Sequence, residues 1–83
     1  MRDFLEFLIK EIVSKPEEVE VTENNDGEVF IYNVHVSNDD MGVVIGKEGK
    51  NIKALRNIAK AKAIKDNVRI QIVLEENQES SEN

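Results

Sequence analysis

In the stretch VVIGKEGKNI, residues 43–52, Gly46 and Gly49 stand three apart between two segments of helical apolar spacing. This pair constrains the fold most, because glycine ends a helix by taking φ > 0 without a Cβ clash, so the chain must turn here rather than run on as one rod. Polar Lys47 and Glu48 between the glycines put the tip of the turn in solvent. One glycine suffices for a helix–turn–helix joint. A second, at the mouth of the next helix, matters most where another backbone must come close, and the unpaired N–H groups and positive dipole end of that helix favour a phosphate. Three readings compete: a helix break in a hairpin, a phosphate cradle of a nucleotide-binding enzyme, and a clamp on a nucleic-acid backbone.

The flanking patterns supply the other elements. Asp3 is a cap candidate for a first helix over residues 3–14, with Phe4, Leu5, Leu8 and Ile12 on one face, ended by Pro16, which disfavours helical geometry at Lys15. Val19 and Val21 alternate with glutamates, and after Asp26–Gly27 Phe30, Tyr32, Val34 and Val36 alternate with Ile31, Asn33 and His35, which predicts a β-hairpin whose richer second strand, 28–36, is the more central. Ser37, Asn38 or Asp39 caps a short helix over 41–45. Beyond Gly49 the wheel gathers Ile52, Leu55, Ala59 and Ala63 on one side, Ile58 beside them, and Lys53, Arg56 and Lys60 on another. Asp66–Asn67 marks a turn before the strand VRIQIVL, with Val68, Ile70 and Ile72 inward. The order is α-β-β-α-α-β, an α+β fold with a small three-stranded mixed sheet and helices on one face. Residues 1–74 form a single domain, and 75–83, without apolar payload, read as a disordered acidic tail.

Eighty-three residues fit one domain, which buries only about 60% of the surface its unfolded chain exposes, so a deep enzyme cavity is not expected. With no cysteine and a single histidine there is neither a disulfide framework nor a thiolate or His-rich metal site, and no cofactor is expected. Charges throughout MRDFLEFLIKEIV exclude a secretory h-region or a membrane span there; a cytoplasmic protein without a membrane partner is the expectation.

A net charge of −6 argues against a nucleic-acid partner until the charges are mapped. From Val43 to Gln71 there are eight basic residues against Glu48 and Asp66, a net of +6, while residues 1–42 hold three basic and eleven acidic side chains and the end from Ile72 holds four glutamates. Such segregation marks a binding face where net charge does not, although a Lys-rich helix is also simply soluble. The enzyme reading lacks parts. Neither the Walker spacing nor G-x-G-x-x-G is present, and Ser14, Ser37, Ser80, Ser81 and Thr22 lie in no motif with His35. His35 reads as a surface or groove-edge strand residue, Tyr32 as core, Arg69 as a solvated strand residue ahead of a phosphate contact, and Asp39–Asp40 as a helix cap rather than a metal site.

At the glycine turn the residues carry a resemblance. VIGKEGKNI matches the V-I-G-x-x-G-x-x-I form of the KH domain, and the element order resembles the bacterial, type II arrangement of that fold. With P-E-E-V after the first helix, the run D-D-M-G-V-V-I-G-K-x-G and a following A-L-R, residues 2 to 74 resemble the small stand-alone bacterial KH proteins of the KhpA family.

The resemblance implies a non-enzymatic groove for about four nucleotides of single-stranded RNA. Gly46 and Gly49 would let the RNA backbone approach, Lys47 and Lys50 would contact phosphates around Glu48, and Val44, Ile45 and Ile52 would floor the groove, with the strand 28–36 or its neighbour opposite; either valine or isoleucine at 44 and 52 reads equally well as core. Lys53, Arg56 and Lys60 add a basic flank. The resemblance further implies a post-transcriptional regulator or RNA chaperone with a role in cell elongation and envelope growth. Its alternative is a dimerisation or adaptor module, as a homodimer or with a larger Jag-like RNA-binding KH protein, in which RNA contact is secondary. Glu48 and the low aromatic content, with no tryptophan, predict weak binding by a lone domain.

Overall fold

The computed structural model describes residues 1–75; the acidic segment 76–83 lies outside the described residues. Its elements run α1 (Arg2–Lys10), a 3-10 turn (Pro16–Glu18), β1 (Glu20–Asn25), β2 (Val29–His35), α2 (Asn38–Ile45), a second 3-10 turn (Lys47–Gly49), α3 (Lys50–Asp66) and β3 (Arg69–Leu74). The sheet order is β1-β2-β3. β1 pairs antiparallel with β2, placing Glu20 opposite His35 and Glu23 opposite Tyr32, and β3 pairs parallel with β2, placing Arg69 beside Val29 and Leu74 beside Val34. The expected α-β-β-α-α-β order and mixed sheet are both present, and the apolar second strand is the central one.

The hairpin turn follows from its residues. Gly27 takes φ +104, a region glycine enters freely, while Asp26 Oδ1 accepts from the N–H groups of Glu28 and Val29 at 3.1 and 2.9 Å and Asn25 Oδ1 accepts from Gly27 N–H at 2.8 Å. Those two amide hydrogen bonds hold the Asp26 carboxyl below the usual carboxylate range.

One core joins the layers. Leu5 and Ile9 of α1, Val19 and Val21, Tyr32 and Val34 of β2 with Val36 just beyond it, Val44 of α2, Ile52, Leu55 and Ala59 of α3, and Ile72 of β3 are buried together. Period two on the strands and the stripe 52, 55, 59, 63 on α3 place these side chains on facing surfaces. Each fully buried Leu, Ile or Val contributes about 1.5–3 kcal/mol relative to exposure. Tyr32 is 3% exposed, and burial first, then the neighbouring Glu23 carboxylate that its hydroxyl meets, push its phenol pKa up.

Three local expectations fail, and the end of α1 and the role of Asp40 fail for the same reason. α1 ends at Lys10 instead of residue 14, and Met1 rather than Asp3 is its N-cap; Asp3 sits in the first turn, paired with Arg2 at 2.9 Å. Asp40 caps nothing. The cap of α2 is Ser37, whose hydroxyl accepts from Asp39 N–H at 3.1 Å, while Asp40, 3% exposed, accepts from Ser14 N–H at 2.8 Å, Ser14 hydroxyl at 2.7 Å and Lys15 N–H at 3.0 Å. These bonds draw residues 14–15 away from the helical path before Pro16 is reached. The backbone bond from Ser14 is the main cause that holds the Asp40 carboxyl below the ordinary carboxylate range, against the opposing effect of burial. Lys15 Nζ meets Asp39 at 2.8 Å and closes the clamp from outside, an exposed pair worth little on its own. The α1–β1 link is thereby tied to the N-terminus of the helix that leads into the glycine turn.

Candidate nucleic-acid interface

α2 delivers the chain to Gly46, which takes φ 79 and ψ 168 and donates to Gly42 O at 2.8 Å. Such a backbone is open essentially to glycine alone. Glu48 follows at φ 57 and ψ 26 and Gly49 at φ 76 and ψ 16, both left-handed, and Gly49 N–H closes the turn on Gly46 O at 3.0 Å. A glutamate there costs on the order of 1 kcal/mol that glycine or asparagine largely avoids.

The two glycines face different surroundings. A Cβ on Gly46 would sit 2.7 Å from Asn51 Cγ, 2.8 Å from its backbone nitrogen and 2.9 Å from its Cβ. Nothing lies within 4 Å of a Cβ built on Gly49. Gly46 is therefore demanded by the protein's own packing, whereas the space beside Gly49 is open.

α3 carries the charged flank. Lys47, Lys50, Lys53, Arg56 and Lys60 are exposed, and among the described residues Lys47, Lys50, Lys53 and Lys60 make no ion pair. Arg56 is anchored instead, its Nη2 donating to Ile72 O on β3 at 3.2 Å. Between this side of α3 and β3 lies an open groove of about 700 Å³ that Arg56, Lys60, Ile64, Val68, Arg69 and Ile70 help to line. Arg56 lies seven residues beyond Gly49, about 10 Å along the helix axis, so the turn and the groove are set end to end on one helix.

The structure separates the sequence-predicted site residues. Gly46, Lys47, Glu48, Gly49, Lys50, Lys53 and Arg56 fall on the turn or on one side of α3. Ile52, at 9% exposure, and Val44, at 0%, belong to the core, and position 52 shares the sheet-facing stripe with Leu55 and Ala59. Ile45 is 37% exposed at the end of α2, away from the groove between α3 and β3. Of the two walls the sequence left open, the one opposite the helix is β3, the neighbour of β2 and an edge strand, while the central strand contributes Val29. Val68, expected inward, stands at the groove, as does Arg69. Sequence reasoning missed Ile64 and Asn51. Ile64, 69% exposed and off the buried stripe, was detectable as an isoleucine with no core to join; Asn51 gave no signal. His35 lies on the opposite face of the sheet, its Nδ1 3.9 Å from Glu75.

A helix–GxxG–helix joint against a three-stranded sheet of this order and direction defines a KH domain of type II. A family model described as the KH domain of KhpA/KhpB matches residues 2–74, and the chain belongs to that family. It is 40% identical over 76 residues to the RNA-binding protein KhpA of Chlamydia trachomatis, covering 92% of this chain and 97% of the relative. It is 43% identical over 72 residues to that of Clostridium perfringens, covering 87% and 96%, and 38% identical over 72 residues to that of Halalkalibacterium halodurans, covering 87% and 95%. No solved structure matches significantly. No helix among the described residues is long and apolar enough to cross a membrane.

Proposed function

We propose that this protein binds single-stranded RNA without catalysing a reaction on it, the glycine turn holding the phosphate backbone and the groove between α3 and β3 holding bases. The observation that carries the reading is the open space beside Gly49 at the head of a row of lysines, without ion pairs among the described residues, that leads into the groove. Gly49 admits the RNA backbone, Lys47 and Lys50 meet phosphates on either side of Glu48, and Lys53, Arg56 and Lys60 track the strand. Gly46, braced by Asn51, gives the turn its shape. Ile45 borders the turn, and Ile52 supports it from the core. Relatives named RNA-binding proteins, similar over nearly their whole length, support the same reading. Its setting is cytoplasmic post-transcriptional control or RNA chaperoning, with a role in cell elongation and envelope growth.

The test is titration of labelled single-stranded RNA across a salt series. Log affinity falls with log salt by about 0.7 per phosphate neutralised, and the double substitution Lys47→Asp with Glu48→Asp abolishes binding while the circular dichroism spectrum is retained. Binding that survives the double change with a flat salt dependence overturns the proposal.

A second reading rests on a specific feature of α3. Ala54, Ile58 and Ala61 recur at i, i+4 and i+7 on its exposed side, with Ile58 46% exposed, away from both core and groove. This stripe fits a homodimer or a pairing with a Jag-like KH protein, and a second linked site strengthens a weak clamp. Sedimentation of wild type against Ile58→Lys tests it: a wild-type chain that stays monomeric and captures no KH partner rejects this reading and leaves the first intact.

A further inference from the structure

We propose that the glutamates beyond β3, Glu76, Glu79 and Glu82, compete with RNA for the basic row of α3, so that the chain carries its own acidic competitor; the proposal rests on the RNA-binding reading above. The first ground is charge. Lys47, Lys50, Lys53 and Lys60 have no acidic partner among the described residues, and the chain that leaves β3 carries glutamates at 75, 76, 79 and 82 with no basic residue among them.

The second ground is where the chain leaves the fold. Val68 N–H donates to Ala63 O at 2.9 Å and Arg56 Nη2 reaches Ile72 O at 3.2 Å, so β3 runs back along α3 towards its N-terminus, the end with the lysines. Glu75 N–H donates to Val34 O at 2.8 Å and pins the exit three residues past the Arg56 contact. The eight residues 76–83 span at most about 26–29 Å when extended, while Arg56 to Lys50 is only about 9 Å of helix, so reach is not limiting. An acid tethered this close acts at an effective concentration in the millimolar range, enough to oppose a weak clamp.

RNA must then displace the glutamates before it occupies the row. Short or weakly held strands are excluded and bound ones are released faster. Because the lysines of the row are exposed, the attraction fades with added salt.

The experiment compares the full chain with the full-length triple variant Glu76→Gln, Glu79→Gln, Glu82→Gln, which leaves Glu75 and every turn and α3 residue unchanged. One arm titrates fluorescein-labelled oligouridine; the variant binds on the order of fivefold tighter at low salt, and the two proteins converge at high salt. The other arm uses no RNA: backbone amide shifts of Lys50, Lys53 and Arg56 differ between the two proteins at low salt and are independent of protein concentration. Equal affinities together with superimposable shifts overturn the proposal, as does a shift difference that grows with protein concentration, which assigns the glutamates to a second copy. Absence of RNA binding by either protein defeats the RNA reading, while the RNA-free arm still decides whether the glutamates meet the basic row.

Discussion

The Asn51 side chain donates through Nδ2 to Val43 O at 2.6 Å, and it does so across the space a Cβ on Gly46 would fill. A residue at the start of α3 therefore holds a carbonyl of the last turn of α2, fixing the angle at which the glycine turn is presented. The two glycines of the motif consequently do different jobs, one inside the protein and one at its surface.

Gly46→Ala should destabilise the fold by about 2–4 kcal/mol, combining left-handed strain with overpacking against Asn51. Gly49→Asn should leave stability within about 1 kcal/mol, because asparagine tolerates the left-handed region, yet weaken RNA binding at least about tenfold by filling the open approach. Thermal denaturation and RNA titration of the two variants check this; equal loss of stability in both would reject the division of labour.

Glu48 is unfavourable twice, through its φ of 57 and through a carboxylate beside the expected phosphate path. Glu48→Asn should raise stability by about 0.5–1 kcal/mol, since asparagine suits this backbone better. RNA affinity should rise about twofold to fivefold at low salt and less as ions screen the charge. Unchanged affinity at low salt would show that Glu48 points away from the strand.

Asp40 predicts an acid sensitivity with a definite sign. Its carboxyl is held below the ordinary range by Ser14 and Lys15, so the folded state binds its proton less readily than the unfolded chain. The stability it contributes is present above the unfolded value of about 3.9 and is lost as pH falls through the lower folded value. Asp40→Asn should lower the melting temperature on the order of 10 °C at neutral pH, and its melting temperature should fall less steeply than the wild type's below about pH 4. Asp26, held low by its own turn, remains in both proteins and accounts for part of the residual slope. Parallel curves of melting temperature against pH would show that Ser14 and Lys15 do not need the charge.

What was legible in the sequence and what was not divides along contact range. The central place of β2, the stripe Ile52, Leu55, Ala59 and Ala63, and a cap for α2 among Ser37, Asn38 and Asp39 follow from periodicity and from neighbours within four residues, and the structure has all three, with Ser37 as the cap. The end of α1 and the burial of Asp40 depend on a partner 26 residues away, which no local pattern reports. The turn was legible as a motif, but not the assignment of Gly46 to packing, because that depends on how Asn51 folds back over α2. The choice of groove wall, between the strand 28–36 and its neighbour, stayed open for a related reason. A strand rich in apolar residues reads as a natural wall, yet being central it spends both edges on pairing, and of the two edge strands it is β3 that borders α3.

Arg56 separates charge from shape at the junction of turn and groove. Its guanidinium is held by Ile72 O at 3.2 Å, which leaves the rest of the planar fork directed from a fixed position on the rim of the groove. Arg56→Lys keeps the charge but loses the fork, so RNA affinity should fall about threefold to fivefold with the salt slope unchanged. Arg56→Gln removes the charge as well and should also flatten the slope of log affinity against log salt by about 0.7, the share of one phosphate on a single strand. Both variants should remain folded, because what is lost is one part-buried hydrogen bond on an edge strand, about 1 kcal/mol. RNA titrations over the salt series measure both quantities. If lysine restores wild-type affinity, Arg56 acts as a point charge and its anchoring to β3 serves the fold rather than the RNA.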